Sequence, residues 1–83
     1  MEIRVEKKDG SLDGFDRSKV STSVSKAGAT PEQTGSIIAQ IESWVQTTAV
    51  DGVIKSNEIR SKVLELLRLV NPEAATRFEA YKK

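Results

Sequence analysis

The residues best suited to binding chemistry lie near the beginning of the chain. The tetrapeptide 7–10, Lys-Lys-Asp-Gly, places two ammonium groups beside a turn, and an ammonium held over a helical layer can donate to phosphate oxygens. Arg17, Ser18 and Lys19 follow at the expected start of a helix, where free backbone N–H groups attract anions. An anion site is one interpretation of these cations, and a solvated charged surface is the other.

Three aspartates accompany these cations. Asp9, Asp13 and Asp16 form a loose acidic group, but the closing glutamate of a calcium-binding loop does not follow them. We therefore expect no dedicated metal site, and any magnesium would arrive with nucleotide phosphates. Asp16 directly precedes a helical pattern and is expected to be its N-cap, where its carboxylate would also repel phosphate.

Composition excludes several kinds of catalytic site. Cysteine and histidine are both absent, which removes thiolate nucleophiles, cysteine or histidine zinc sites and a histidine general base. Neither a Walker loop nor a GxGxxG motif follows a strand. We therefore expect a binding protein and not an enzyme. The lack of cysteine, of a signal peptide and of an apolar run of about 18 residues predicts a cytoplasmic protein outside the membrane.

Charge is nearly balanced overall, with a net value of +1, but it is unevenly distributed. Residues 29–53 contain Glu32, Glu42 and Asp51 and no lysine or arginine, whereas both flanking segments are basic. Nucleic-acid interfaces usually require a clearly basic domain. The balance therefore argues against nucleic acid as a partner and leaves room for a small local anion site.

The elements that must position these residues begin with a hairpin. Ile3, Val5 and Lys7 alternate with polar residues, as in a half-buried strand. The dipeptide Asp9-Gly10 favours a two-residue hairpin loop, so that residues 11–15 return as a second strand. An isolated hairpin is marginal in water, and this one must therefore pack on helices.

Four helices are predicted after the hairpin, because four capping signals each precede apolar residues at helical spacing. The caps are Asp16, Thr30, Ser56 and Asn71, and Gly28 is placed to end the first helix. The apolar stripes, which we interpret as core, are Val20, Val24 and Ala27; Ile37, Ile38, Ile41, Trp44 and Val45; Ile59, Val63, Leu66, Leu67 and Val70; and Ala75, Phe78 and Tyr81. The predicted fold is α+β, with an N-terminal β-hairpin or a small three-stranded sheet packed on a four-helix bundle, in a single domain over residues 1–83.

Four motifs in this order resemble the ATP-cone family, the allosteric domain of many ribonucleotide reductases and of their transcriptional repressors. Residues 5–10, VEKKDG, resemble the family's V-x-K-R-D-G, and residues 15–20, FDRSKV, resemble F-D-x-x-K-I. Residues 56–59, SNEI, resemble S/T-x-E-I, and residues 75–81, ATRFEAY, resemble A-x-R-Y/F-x-x-Y. The resemblance spans nearly the whole chain.

The resemblance implies that ATP or dATP, with magnesium, lies between the helices and the hairpin, which acts as a lid. The positions that match the family motifs or line its pocket are Val5, Lys7, Lys8, Asp13, Asp16, Lys19, Ser56 and Arg77. Of these, Val5 and Lys7 would contact the base and phosphate region, Asp16 the ribose or base, and Ser56 the phosphates. Lys8 stands where the family usually has arginine, and lysine cannot reproduce arginine's bidentate grip on phosphate.

Three functions follow from these observations. The first is a regulatory, non-catalytic adenine-nucleotide sensor that changes how its surface associates with itself or with a partner. The second is a nucleotide-independent helical protein-interaction module that retains the cone fold. A DNA-binding domain is the third, and the near-neutral charge disfavours it. These 83 residues contain neither a reductase catalytic domain nor a cysteine-rich zinc ribbon.

Overall fold

A small sheet and four helices make up the computed structural model, which describes residues 3–80. In chain order the elements are β1 Arg4–Glu6, β2 Leu12–Gly14, α1 Arg17–Lys26, α2 Pro31–Thr48, β3 Val53–Lys55, α3 Ser56–Val70 and α4 Pro72–Ala80. The predicted α+β class is confirmed, and so is the three-stranded form of the sheet.

The sheet has the strand order β2-β1-β3. β1 runs antiparallel to β2, with Val5 opposite Asp13, and parallel to β3, with Val5 opposite Ile54. A parallel pair requires a long crossover, which α1 and α2 supply. The strand that carries Val5 is therefore held on both sides, by its hairpin partner and by the residues that lead directly into α3.

The hairpin loop differs from the prediction of two residues. The Gly10 N–H donates to the Lys7 carbonyl at 2.9 Å, and the Lys7 N–H donates to the Ser11 carbonyl at 2.9 Å. The loop is thus the three residues 8–10, with Gly10 at a φ of 87°. A two-residue type I′ loop requires positive φ at both central positions, whereas Asp9 keeps a negative φ and its carboxylate accepts from the Ser11 backbone N–H at 3.0 Å.

Three of the four predicted helix caps are confirmed. Asp16 accepts from the Ser18 N–H at 2.9 Å, and Asn71 accepts from the Ala74 N–H at 3.1 Å. Thr30 and Gln33 form a reciprocal capping box, with both hydrogen bonds at 3.1 Å. These local signals fix where α1, α2 and α4 begin.

The predicted cap of α3 is wrong by one residue. Ser56 is the first helical residue and Lys55 is the N-cap. Lys55 has no side-chain acceptor, and its own backbone N–H instead donates to the Glu58 carboxylate at 3.4 Å. The Ser56 hydroxyl is consequently not used for capping.

The core lies where the helices meet beneath the sheet. Its most completely buried large side chains are Ile37, Ile41, Ile54, Leu67, Val24, Val45 and Val63. Phe78 is buried and Trp44 packs partly buried against the same cluster, as predicted. The prediction of Val70 as core is wrong, since its side chain is exposed at the last residue of α3. Tyr81 and the two terminal lysines lie outside the described residues.

Candidate functional site

A cleft lies between the hairpin, α1 and the first half of α3. It has two adjoining compartments, which share four lining residues: Lys19, Val20, Ser56 and Ile59. The smaller one, here called the apolar compartment, measures about 180 Å³ and reaches under the hairpin to Val5. The larger one, the basic compartment, measures about 430 Å³ and opens along α3.

The apolar compartment brings together six of the eight predicted site residues. They are Val5, Lys7, Asp13, Asp16, Lys19 and Ser56. Its other lining residues include three apolar side chains, Phe15, Val20 and Ile59. Phe15 precedes the Asp16 N-cap and Val20 is the fourth residue of α1, which is the spacing of a hydrophobic staple; both residues also line the cleft.

The two remaining predicted residues are placed differently. Lys8 lines the basic compartment together with Lys19 and Ser56. Arg77 lines neither compartment, and one of its guanidinium nitrogens lies 3.0 Å from where a Cβ on Gly28 would be. That position is at the opposite end of α1 from Lys19, so direct contact between Arg77 and a nucleotide stays a prediction.

Asp13 forms ion pairs with two lysines in the apolar compartment. Its Oδ2 atom lies 3.3 Å from the Lys7 ammonium and 3.6 Å from the Lys19 ammonium. The hydrogen bond from Lys7, the Gly14 backbone N–H and the nearby charge of Lys19 hold the pKa of Asp13 below its usual range. At neutral pH, therefore, both lysines share an ionised partner, and an incoming anion must compete with it.

The basic compartment contains two cationic side chains, Lys8 and Arg60, that do not line the apolar compartment. Within residues 3–80, neither Lys8 nor Arg60 forms an ion pair with a carboxylate. Ser56 opens α3 beside them, at the end of the helix where backbone N–H groups and the helix dipole favour negative charge. This compartment therefore attracts an anion more strongly than the compartment that contains Asp13.

Sequence reasoning missed Arg60 as a cleft residue. Arg60 lies four positions after Ser56 on α3, and residues at that spacing share a helix face. The guanidinium carbon lies 4.8 Å from the centroid of the Phe78 ring, and Nη2 donates to the Phe78 carbonyl at 3.1 Å. The spacing from Ser56 is the signal in the sequence that could have identified it.

A second groove, of about 490 Å³, runs between α1 and α2. It is larger than the basic compartment and is lined mostly by small side chains. Its one lysine or arginine is Arg17, which already pairs with Glu42 at 3.7 Å. The hairpin cleft is therefore the better candidate for an anionic ligand.

The sequence model of one protein family, described as the ATP cone domain, matches residues 3–83 of the chain. The chain belongs to the ATP-cone family. The match confirms the resemblance inferred from the four sequence motifs. An ATP cone is a regulatory nucleotide-binding module. The cleft under its hairpin is where the resemblance placed the nucleotide.

A curated relative of the cone is the transcriptional repressor NrdR of Erythrobacter litoralis (strain HTCC2594). The two are 36% identical over 81 residues, which is 93% of this chain and 52% of the relative. The cone thus spans about half the length of the relative it matches. Because that relative is named as a repressor of transcription, the comparison gives no support to the argument from charge against nucleic acid as a partner.

Two further observations concern the described residues alone. No helix within residues 3–80 is long and apolar enough to cross a membrane, and the cytoplasmic location stays a prediction. No group of three or more histidine, cysteine, aspartate or glutamate side chains in that range is arranged to hold a metal ion.

Proposed function

We propose that this ATP cone is a non-catalytic sensor that binds ATP or dATP between its hairpin and α3. The observation that carries the proposal is the pairing of an apolar compartment with an adjoining basic one. A nucleotide has the same division, with a flat apolar base at one end and a charged tail at the other. The order of the two compartments along the cleft therefore determines which end of the nucleotide lies under the hairpin and which lies along α3.

The base is proposed to occupy the apolar compartment. Val5, Phe15, Val20 and Ile59 offer apolar contacts there, which suit the faces of a purine ring. Carboxylates repel phosphate but accept hydrogen bonds from ribose hydroxyls and exocyclic amines. The Asp13 and Asp16 side chains at this end therefore favour the base and sugar over the phosphates.

The phosphates are proposed to occupy the basic compartment. Lys8 carries an uncompensated charge there, and Ser56 can donate its hydroxyl from the first position of α3. Lys19 lines both compartments and Lys7 lines the apolar one, so a phosphate near the boundary would draw both ammonium groups away from Asp13. Magnesium would enter coordinated to the phosphates, since it keeps several waters and needs few protein ligands.

The electrostatics of the cleft support binding without catalysis. A general base for neutral pH needs a pKa raised towards 7, whereas the Asp13 pKa is lowered by its cationic neighbours. The chain supplies no cysteine or histidine. Regulation then follows from differential affinity, because a nucleotide that prefers one association state of the cone shifts the population towards that state.

Thermal unfolding with nucleotides tests the proposal. A ligand at one hundred times its dissociation constant adds about 2.7 kcal/mol to the free energy of unfolding. We expect Mg-ATP or Mg-dATP to raise the melting temperature and equal concentrations of Mg-GTP to raise it less. Equal shifts with ATP and GTP would contradict the adenine preference. No shift with any nucleotide would contradict the sensor and support the nucleotide-independent interaction module.

A further inference from the structure

Arg60 combines features that no other arginine in the described chain shares. It lines the basic compartment with Lys8 and Ser56, and its side chain is partly buried against α4. Two exposed arginines on the helices pair with carboxylates instead, Arg17 with Glu42 and Arg68 with Glu79, both at 3.7 Å. Arg60 has no carboxylate partner within residues 3–80, so its charge is free to meet a ligand.

The guanidinium of Arg60 is held in place before any ligand arrives. It stacks on the Phe78 ring at 4.8 Å and donates one hydrogen bond to the Phe78 carbonyl at 3.1 Å. A guanidinium has five N–H donors, so this contact orients the group and leaves most of its donors unused. Pre-organisation of this kind reduces the entropy lost when a ligand is bound.

Arg60 lies beyond the boundary between the compartments. It lines the basic compartment only, whereas Lys19 and Ser56 line both. A nucleotide whose base lies in the apolar compartment would place its first phosphate near the shared residues. The outer phosphates would then extend towards Lys8 and Arg60.

We infer that Arg60 binds the outer phosphates of the nucleotide and sets the preference for triphosphates over monophosphates; the inference rests on the proposed function. Lys8 occupies the position where a guanidinium would give a planar, two-point grip on phosphate, and an ammonium cannot provide it. Arg60 supplies that grip from α3, on the other side of the same compartment.

Calorimetric titration of four forms of the chain with ATP, ADP and AMP tests the inference. The forms are wild type, Arg60→Met, Arg60→Lys and the control Arg68→Met, which removes an arginine from the far end of the same helix. Hydrogen bonds to a charged group lead us to expect a loss of ATP affinity of about tenfold to a hundredfold in Arg60→Met. AMP affinity should change by less than about twofold, and Arg68→Met should bind ATP as wild type does.

Arg60→Lys and one additional double variant separate phosphate binding from support of Phe78. Arg60→Lys keeps the aliphatic stem and the charge, so a loss of ATP affinity with an unchanged melting temperature would identify the guanidinium geometry as the cause. In the Lys8→Arg, Arg60→Met double variant, the new guanidinium should restore part of the ATP affinity. Equal losses for ATP and AMP would show a structural role and overturn the inference.

The outcomes also distinguish this inference from the proposed function. If wild type binds ATP and both Arg60 variants bind it equally well, the inference is overturned and the sensor stands. If Arg60→Met does not fold, Arg60→Lys provides the test. An ATP affinity and a ratio of ATP to AMP affinity equal to those of wild type in Arg60→Lys would overturn the bidentate role. If wild type binds no adenine nucleotide, both proposals are overturned.

Discussion

The Asp13 carboxylate lies 3.3 Å from the ammonium of Lys7, and this contact joins the two strands of the hairpin. The same Asp13 oxygen lies 3.6 Å from Lys19 on α1, so one carboxylate connects the hairpin to the helical layer. The hairpin, which is the proposed lid, and α1 are therefore linked by the charged side chains of Asp13, Lys7 and Lys19, which the ligand would also contact. Binding a phosphate at Lys7 would exchange this internal partner for an external one.

Low pH should weaken the connection made by Asp13. The folded-state pKa of Asp13 is lowered by Lys7, Gly14 and Lys19, so its contribution to stability is present above the pKa of the unfolded chain. That contribution is lost as the pH falls below about 4, where aspartate takes up its proton. We expect Asp13→Asn to be less stable than wild type in urea at pH 7, and the difference to shrink at pH 3. A difference that is the same at both pH values would contradict the role given to Asp13.

Lys7 should contribute less to ATP binding than Arg60, because Lys7 is already paired. An exposed ion pair contributes up to about 1 kcal/mol, and Lys7→Ala is therefore expected to weaken ATP binding roughly fivefold. Lys62→Ala is the matched control, since Lys62 also pairs with one carboxylate, Glu65 at 2.9 Å, but lies outside the cleft. Unchanged ATP affinity in a folded Lys7→Ala chain would remove Lys7 from the site.

Two glycine substitutions should change stability in opposite directions. Gly28 follows α1 with a φ of 109°, which a side chain rarely adopts, and Gly28→Ala should lower the free energy of unfolding by about 1–3 kcal/mol. Gly35 lies within α2 with open space where its Cβ would be. Gly35→Ala should raise the free energy of unfolding by up to about 1 kcal/mol. Chemical denaturation measures both changes, and a stabilised Gly28→Ala would show that the left-handed end of α1 is not required.

Local signals account for most of what the sequence predicted correctly. The caps at Asp16, Thr30 and Asn71 depend on residues two or three positions away, so their geometry is encoded within a few residues of chain. The hairpin loop was predicted at the right place but one residue too short, because the Asp9 carboxylate accepts hydrogen bonds from Ser11 and stabilises a turn that Asp9-Gly10 alone does not specify. The sequence also left open whether the sheet has a third strand, since residues 53–55, which supply it, pair with β1 across about fifty positions.

The candidate site was predicted in outline, and its basic compartment only in part. Family motifs indicated the residues along β1, the start of α1 and the start of α3, because each motif marks one element. The contact between Arg60 and Phe78 spans eighteen positions and is set by the packing of α3 on α4, which no local pattern reveals. Arg77 lies in a matching motif, yet packing places it beside Gly28.

The most direct test of the account is a titration of the ¹⁵N-labelled chain with Mg-ATP, followed by amide NMR shifts. If the nucleotide occupies the hairpin cleft, the largest saturable changes should fall on Val5, Lys8, Ser56 and Arg60. The amide of Gly35, in the groove between α1 and α2, should change little. Changes centred on that groove, or no saturable change at any amide, would contradict nucleotide binding in the hairpin cleft.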